Sequence, residues 1–585
     1  MFFGSINESM ITDSAAKPTY LITGILGCIL AYSFFSFFAW KQIPIGDQVY
    51  ELVASNSLAK NIATGYVELD SRVHPPGYTL AVSYIMRCLS IPVVKAGKVL
   101  GVICFLATVL LIYLILLQVS PAGHGHMAAI LAVYLYSTSP AVIQGAQVLK
   151  QDTTILTVAV LLFVLAFIKW GQNISARTLV ILGLFFGLAL CTKLSTALVI
   201  PIALGTYLIL KNKNTQGLFY SGIVSVVGIC FLWSFWFVLR KMYPYPFSGL
   251  PFFCHFEVVS GEYGVRFVKP LMEQFRELGK GALVALWVSP YFVLLWLMAA
   301  AQRIRKYCAS GVLQPQDFIL LCAAIILAGY SVSGGLAHGF PRYQFPAISL
   351  CVITIVLFLS ENISGEVNKR YLFFGVVLIL ISAVFNITVV GDIIYNAYYM
   401  LRFNAAFPDL AVTDISFHIS LQMFYGLCLL LFSFWVCKRS FPKLAAMKSW
   451  LLVLLPLTLG ANISQDILNA RAPYQAGYTY GAAGVKEVIG LLSKEINENK
   501  KVLSPDDLSF HLPGVIVDKR MHDWTSPDVL IAIIREKNPD MLVYGLSSNS
   551  VIQYQKTFNN AEMLVFLRER FPVRKDVGSY TVWAR

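Results

Sequence analysis

Apolar runs of about twenty residues return thirteen times along this chain, and nothing else in it limits the fold so strongly. A helix needs about twenty such residues to cross the hydrocarbon of a bilayer. Inside lipid the backbone must satisfy its own hydrogen bonds, so runs of this length read as helices. They fall at 20–40, 97–118, 127–147, 153–170, 177–193, 195–211, 217–239, 281–301, 316–336, 343–360, 371–391, 415–437 and 447–463. Only 13% of the 585 residues are charged and 57% are hydrophobic, where a soluble domain carries roughly a quarter charged. The pattern predicts a polytopic α-helical membrane protein. The first run lacks a basic leader and a small-residue cleavage site, so it reads as an uncleaved span. The shorter run 77–92 contains Arg87 and reads as an interfacial helix lying along the membrane.

Basic residues in short loops set orientation. With the N-terminus in the cytoplasm, the inner loops hold Lys169 and Arg177, then Lys211 and Lys213, then Arg303, Arg305 and Lys306, then Lys369 and Arg370, then Lys438, Arg439 and Lys443. An odd number of spans then places the C-terminus outside. The stretch 41–96 becomes the first outer loop, and 240–280, 338–342 and 392–414 lie outside as well.

The composition changes near 464, which divides a membrane part, 1–463, from an extracytoplasmic part, 464–585. "VKEVIGLLSKEI" has the spacing of an amphipathic helix, and "SPDVLIAIIREKN" opens with a Ser-Pro helix start. "GVIVD", "DMLVYGL" and "GSYTVWAR" read as strands. Helices alternating with strands predict a small α/β domain. No Gly-rich phosphate loop is present in it. The eleven cysteines lie in or beside the spans and form no CxxC pair, so no disulfide framework is indicated. "HGH" at 124–126 reads as a polar turn, since no further metal ligands are nearby.

The net charge of +14 is only partly explained by the inner loops. Lys60, Arg72, Arg87, Lys150, Arg266, Lys269, Arg342 and Arg402 are placed outside, against the usual bias, and invite an anionic partner such as a lipid phosphate. His74, His255 and His338 share that side with Asp47. Each residue also has a plainer reading. Asp47 and Asp152 fit helix N-caps, "HPPG" fits a turn that starts a helix, and Lys193 fits a snorkelling lysine.

What sets these residues apart is their shared placement. Asp47, His74, Asp152, Lys193 and Arg342 fall at the outer ends of different spans or in the first outer loop. The motifs run in order: "GDQVYELVASNSL", "HPPGYTLAVSY", "QVLKQDTTILTVAVLLF", "GLALCTKLSTALVIP" and "HGFPRYQFPAISL". The series resembles the GT-C glycosyltransferases of the dolichyl-phosphate-mannose protein mannosyltransferase type, including the lipid A aminoarabinose transferases. In order and span count the resemblance covers the whole membrane part. It departs at Gln48, where many relatives have a second acid, and at His74, where the aminoarabinose enzymes have lysine. No β-trefoil insert is evident in 240–280. The departures argue against either family's specific substrate.

The resemblance implies a GT-C-like fold of about thirteen spans with interfacial helices in the first outer loop. It implies an inverting glycosyltransferase that takes a sugar from a polyprenyl-phosphate carrier and passes it to a glycolipid, glycan or protein. Asp47 and Asp152 are then the catalytic pair, Asp47 as base. His74, Lys150, Lys193 and Arg342 hold the donor phosphate, and Tyr50, Tyr343, His338, His255 and Arg266 contact substrate. No cofactor is implied and a dedicated divalent metal site is not indicated. The membrane implied is a bacterial inner membrane. A flippase, ligase or polymerase for polyprenyl-linked glycans is the alternative, as is a secondary transporter. A transporter would carry its polar residues near the bilayer midplane, whereas these sit at span ends.

Overall fold

The computed structural model describes residues 17–40, 44, 47–60, 75–121, 125–147, 149–171, 174–242, 290–333, 343–362, 369–389, 412–471, 485–504, 526–545, 560–577 and 580–585, with shorter pieces between 271 and 279 and between 508 and 518. Each of the thirteen apolar runs carries a helix. In chain order the helices are α1 (Lys17–Ala39), α2 (Asp47–Lys60), α3 (Gly77–Leu89), α4 (Val93–Val119), α5 (Gly125–Ser137), α6 (Pro140–Gln147), α7 (Ile155–Trp170), α8 (Ala176–Leu190), α9 (Leu194–Ala197), α10 (Val199–Asn212) and α11 (Gln216–Met242). They continue with α12 (Pro290–Ser310), α13 (Pro315–Ser333), α14 (Phe345–Asn362), α15 (Lys369–Val389), α16 (Val412–Ser440) and α17 (Ala446–Arg471). Among the described residues, seven helices are long and apolar enough to cross a membrane by themselves.

The run 127–147 is broken in two. Pro140 opens α6, and a proline disfavours helical backbone in the residue before it. Thr138 and Ser139 therefore sit between α5 and α6, with the Thr138 hydroxyl donating back to the Tyr134 carbonyl at 2.8 Å. The interfacial reading of 77–92 corresponds to α3, a separate helix that buries Tyr78, Thr79, Val82 and Ser83.

One apolar core runs through the bundle. Glycines let two of its helices approach closely, as small residues do inside membranes. A Cβ at Gly183 would stand 2.5 Å from the Val227 side chain, and one at Gly228 would stand 2.3 Å from the Phe186 ring. At one end of the bundle, buried Arg303 joins three segments. It donates to Asp317 at 2.7 Å, Glu361 at 3.2 Å and Gln314 at 3.1 Å.

Beyond α17 stands a small α/β unit with helices α18 (Val485–Asn497), α19 (Pro527–Lys537) and α20 (Ala561–Arg570). Its strands are β1 (Val502–Leu503), β2 (Met541–Gly545), β3 (Val573–Val577) and β4 (Tyr580–Ala584), in the order β1-β2-β4-β3. The β1–β2 pair is parallel and the other two are antiparallel. Strand β2 is buried on both faces. Met541 and Val543 enter the core under α18, while Leu542 and Tyr544 enter the core under α19 and α20. Strand β3 is one edge, and Arg574, Lys575 and Asp576 leave it charged and exposed, a common guard against edge pairing. Among the described residues of "GVIVD", Ile516 pairs with Leu503, its amide donating to the Val502 carbonyl at 2.7 Å and its carbonyl accepting from the Ser504 amide at 3.1 Å. The expected division near 464 falls inside α17, which runs on to Arg471.

The close α8–α11 approach yields a test. Gly228→Val drives a branched side chain into Phe186, and overpacking of this kind costs about 1–3 kcal/mol. Thermal unfolding of the purified variant in detergent should show a lower midpoint, and an unchanged one would contradict the packing described.

Candidate functional site

Burying a charge costs several kcal/mol unless it is paired and hydrogen-bonded. Two buried ion pairs stand side by side at the end of the bundle opposite Arg303. Between α6 and α7 the chain makes a non-helical turn. The hydroxyls of Thr153 and Thr154 donate to the Lys150 carbonyl at 3.2 and 2.7 Å, and that of Thr157 donates to the Asp152 carbonyl at 3.0 Å. The turn thereby presents two opposite charges two residues apart. Lys150 Nζ donates to Glu51 Oε1 of α2 at 2.7 Å, with side chains 2% and 1% exposed. Asp152 Oδ1 meets Lys193 Nζ at 2.5 Å, with exposures of 2% and 9%.

The plainer readings of two residues therefore fall away. Asp152 does not cap α7, whose cap residue is Thr154. Lys193 does not snorkel. It occupies the extended cap position of the single-turn helix α9, and its ammonium lies 3.8 Å from the centre of the Tyr343 ring. That ring stacks on Tyr330 at 5.1 Å, and the Tyr330 hydroxyl is hydrogen-bonded to Thr196. An ammonium on an aromatic face gains further stabilisation when desolvated.

Helices α2 and α3 are fastened onto this array. The Gly77 amide, at the start of α3, donates to the Cys191 carbonyl at 3.0 Å, two residues before Lys193. A Cβ at position 77 would lie 2.5 Å from that carbonyl oxygen, so the glycine of "HPPG" is needed for the approach. Arg87 of α3 closes the last turn of α2 by donating to the Leu58 and Ala59 carbonyls at 2.7 and 2.9 Å. Tyr78 is buried beside Glu51. Burial first, and then the Glu51 carboxylate, hold its phenol well above the ordinary value.

Of the residues expected from the sequence, the structure brings Lys150, Asp152, Lys193 and Tyr343 together. Asp47 is the first residue of α2 and Tyr50 lies in its first turn, but the side chains of both are outside the description. His74, His255, Arg266, His338 and Arg342 lie outside the described residues. Among the described residues, no three His, Cys, Asp or Glu side chains form a metal-sized cluster.

The sequence reading missed Glu51, Tyr330 and Asp466. Glu51 follows Asp47 by four positions, which puts both on one face of α2; that spacing was the available signal. Tyr330 gives none. Asp466, near the C-terminal end of α17, is 1% exposed, and neither carboxylate oxygen has a hydrogen-bond partner. An ionisable residue in a span is a functional candidate by default.

Comparisons with known proteins bear on this geometry. Residues 73–238 match the family model described as dolichyl-phosphate-mannose-protein mannosyltransferase, an interval that includes Lys150, Asp152 and Lys193. ArnT from Cupriavidus metallidurans bound to undecaprenyl phosphate aligns over 98% of both chains at 14% identity, with a TM-score of 0.56. The same protein in its apo state aligns over 98% of both chains at 12% identity, with a TM-score of 0.51. The chain has the GT-C fold. None of the curated proteins compared matches it. The resemblance seen in motif order thus extends to the family match and to the architecture of this GT-C protein, which is an integral membrane protein.

Two predictions follow from the charges. Removing one partner of a buried pair costs about 3–5 kcal/mol, so Lys150→Met alone should lower the unfolding midpoint sharply. The double variant Glu51→Gln/Lys150→Met should recover much of the loss; equal losses would deny the pairing. At Asp466 the sign reverses. An unsatisfied buried polar group costs about 1–3 kcal/mol, so Asp466→Leu should raise the midpoint, and a lowered one would show that the carboxylate is structural.

Proposed function

We propose that this GT-C protein is an inverting glycosyltransferase that moves a sugar from a polyprenyl-phosphate carrier to an acceptor at the outer face of a bacterial inner membrane. The family match and the fold support glycosyl transfer as the class of activity. One observation carries the reading to the residue level. The turns that lead into α7, α9 and α14 converge on an ammonium, Lys193, held between the Asp152 carboxylate and the Tyr343 face.

The chemistry divides among these groups. A sugar on a polyprenyl phosphate already has a good leaving group, so the enzyme must supply a base for the acceptor and positive charge for the departing phosphate. The acceptor oxygen attacks the anomeric carbon from the face opposite the phosphate. Its proton passes to Asp47, the bond from carbon to phosphate oxygen breaks, and polyprenyl phosphate leaves as the anion. The Glu51 carboxylate is committed to Lys150, which leaves the base role to Asp47 one helical turn earlier. Lys193, Arg342 and His74 receive the phosphate. Lys150 is more fully enclosed and fixes α2 through Glu51. Tyr50, Tyr343, His255, His338 and Arg266 line the approach for sugar and acceptor. The basic inner loops support a cytoplasmic N-terminus and an extracytoplasmic C-terminal domain.

Asp47→Asn keeps the size and the capping capacity of the side chain, since asparagine caps about as well as aspartate. It removes the base. Turnover of a polyprenyl-phosphate sugar by the purified variant should fall roughly a hundredfold or more, while the protein stays folded and still binds the lipid donor. Near-normal turnover would return Asp47 to a helix cap and remove the central residue of the mechanism.

A further inference from the structure

We propose that the C-terminal domain is part of the catalytic apparatus: Phe510 and His511 clamp the segment that carries Asp47 and act as positioning residues for it. The inference rests on the glycosyltransferase reading for its kinetic consequence and on contacts alone for its structural one.

Helix α2 has fourteen residues, and an isolated helix of that length is marginal in water. Its position must come from what holds it. Arg87 holds its last turn, and Glu51 holds its middle through Lys150. At its start the chain enters through Pro44, a buried residue three positions before Asp47. The Pro44 carbonyl is bonded to His511 Nε2 at 2.7 Å, across 467 residues of sequence. A carbonyl only accepts, so Nε2 carries the hydrogen. Burial lowers the pKa of the ring, with the Pro44 bond opposing it, which favours the neutral ring with its hydrogen on Nε2. The neighbouring Phe510 packs against the apolar cluster of Leu52, Tyr78, Val82 and Leu149. That cluster joins α2, α3 and the residue before Lys150. Two adjacent side chains of the outer domain thus rest on the elements that present Asp47, Glu51 and Lys150.

A small displacement of a catalytic group costs rate far more readily than it costs stability. A base on a short helix fastened by the second domain therefore has its position, and not its chemistry, set by that domain. The donor phosphate is assigned to Lys193, Arg342 and His74, none of them in α2, so loss of the clamp should lower kcat far more than it changes the donor KM.

The test uses the full-length protein and the variants His511→Ala, His511→Gln and Phe510→Ala. A net hydrogen bond is worth about 0.5–1.5 kcal/mol, so His511→Ala should lower kcat by up to about tenfold. Glutamine offers a donor in nearly the same place, and His511→Gln should recover most of the rate. Amide hydrogen exchange should rise in residues 47–60 for His511→Ala and Phe510→Ala, with the strands of the outer domain unchanged. Unchanged exchange in 47–60 would overturn the clamp. So would a loss of rate that appears in KM alone, or one that glutamine does not relieve. If the wild-type protein transfers no sugar, the glycosyltransferase reading fails, and the exchange measurement still decides the clamp.

Discussion

Charge that is buried must be answered by charge, and the end of the bundle opposite Arg303 is arranged around that requirement. Four ionisable side chains, Glu51, Lys150, Asp152 and Lys193, sit there almost fully enclosed. Each pair is contributed by different elements, so each bond also fixes one element against another. Glu51 to Lys150 ties α2 to the turn after α6, and Asp152 to Lys193 ties that turn to the one after α8. Removing one member takes from the other its opposite charge in a site closed to solvent. The array is therefore a structural joint, whatever else passes through it.

The rest of that end follows from the same joint. Helices α2 and α3 are too short to anchor themselves, and neither spans. They are held by backbone carbonyls that need donors: Cys191 takes the Gly77 amide, and Leu58 and Ala59 take Arg87. Gly77 is a case where the residue type is dictated by distance, since any side chain there would strike a backbone oxygen. At the opposite end Arg303 answers Asp317 and Glu361 in the same manner. The spans between are joined mainly by apolar packing, with glycines where helices come closest.

Much of this was legible in the sequence because the bilayer constrains it. Length and hydropathy located all thirteen runs, and the order of weak motifs singled out Asp47, His74, Asp152, Lys193 and Arg342, of which Asp152 and Lys193 are seen in contact. What was not legible depends on partners distant in sequence. Lys150 reads as one more outer cation until Glu51 is seen opposite it. Arg87 reads as an interfacial charge until it is seen to close α2. Tyr330 is an ordinary apolar-run tyrosine whose role comes from stacking on Tyr343. In the C-terminal domain "GVIVD" reads as a strand by composition, and its described Ile516 pairs with β1, not with β2. Apolar runs that short do not say which of them will pair.

The paired state of Lys193 also bears on how a phosphate could be handled there. A free ammonium in a dry site would bind an incoming phosphate tightly in the ground state, and tight ground-state binding does not speed the reaction. An ammonium already bonded to Asp152 at 2.5 Å is different. Its charge is largely balanced before the donor arrives, and its direction is set by the carboxylate on one side and the Tyr343 ring on the other. Donors held in place before reaction contribute most where charge develops. On the proposed mechanism that charge grows on the phosphate oxygen as the sugar departs. Asp152 then acts by restraining Lys193, so that its attraction to the leaving group strengthens along the reaction and is not spent at binding.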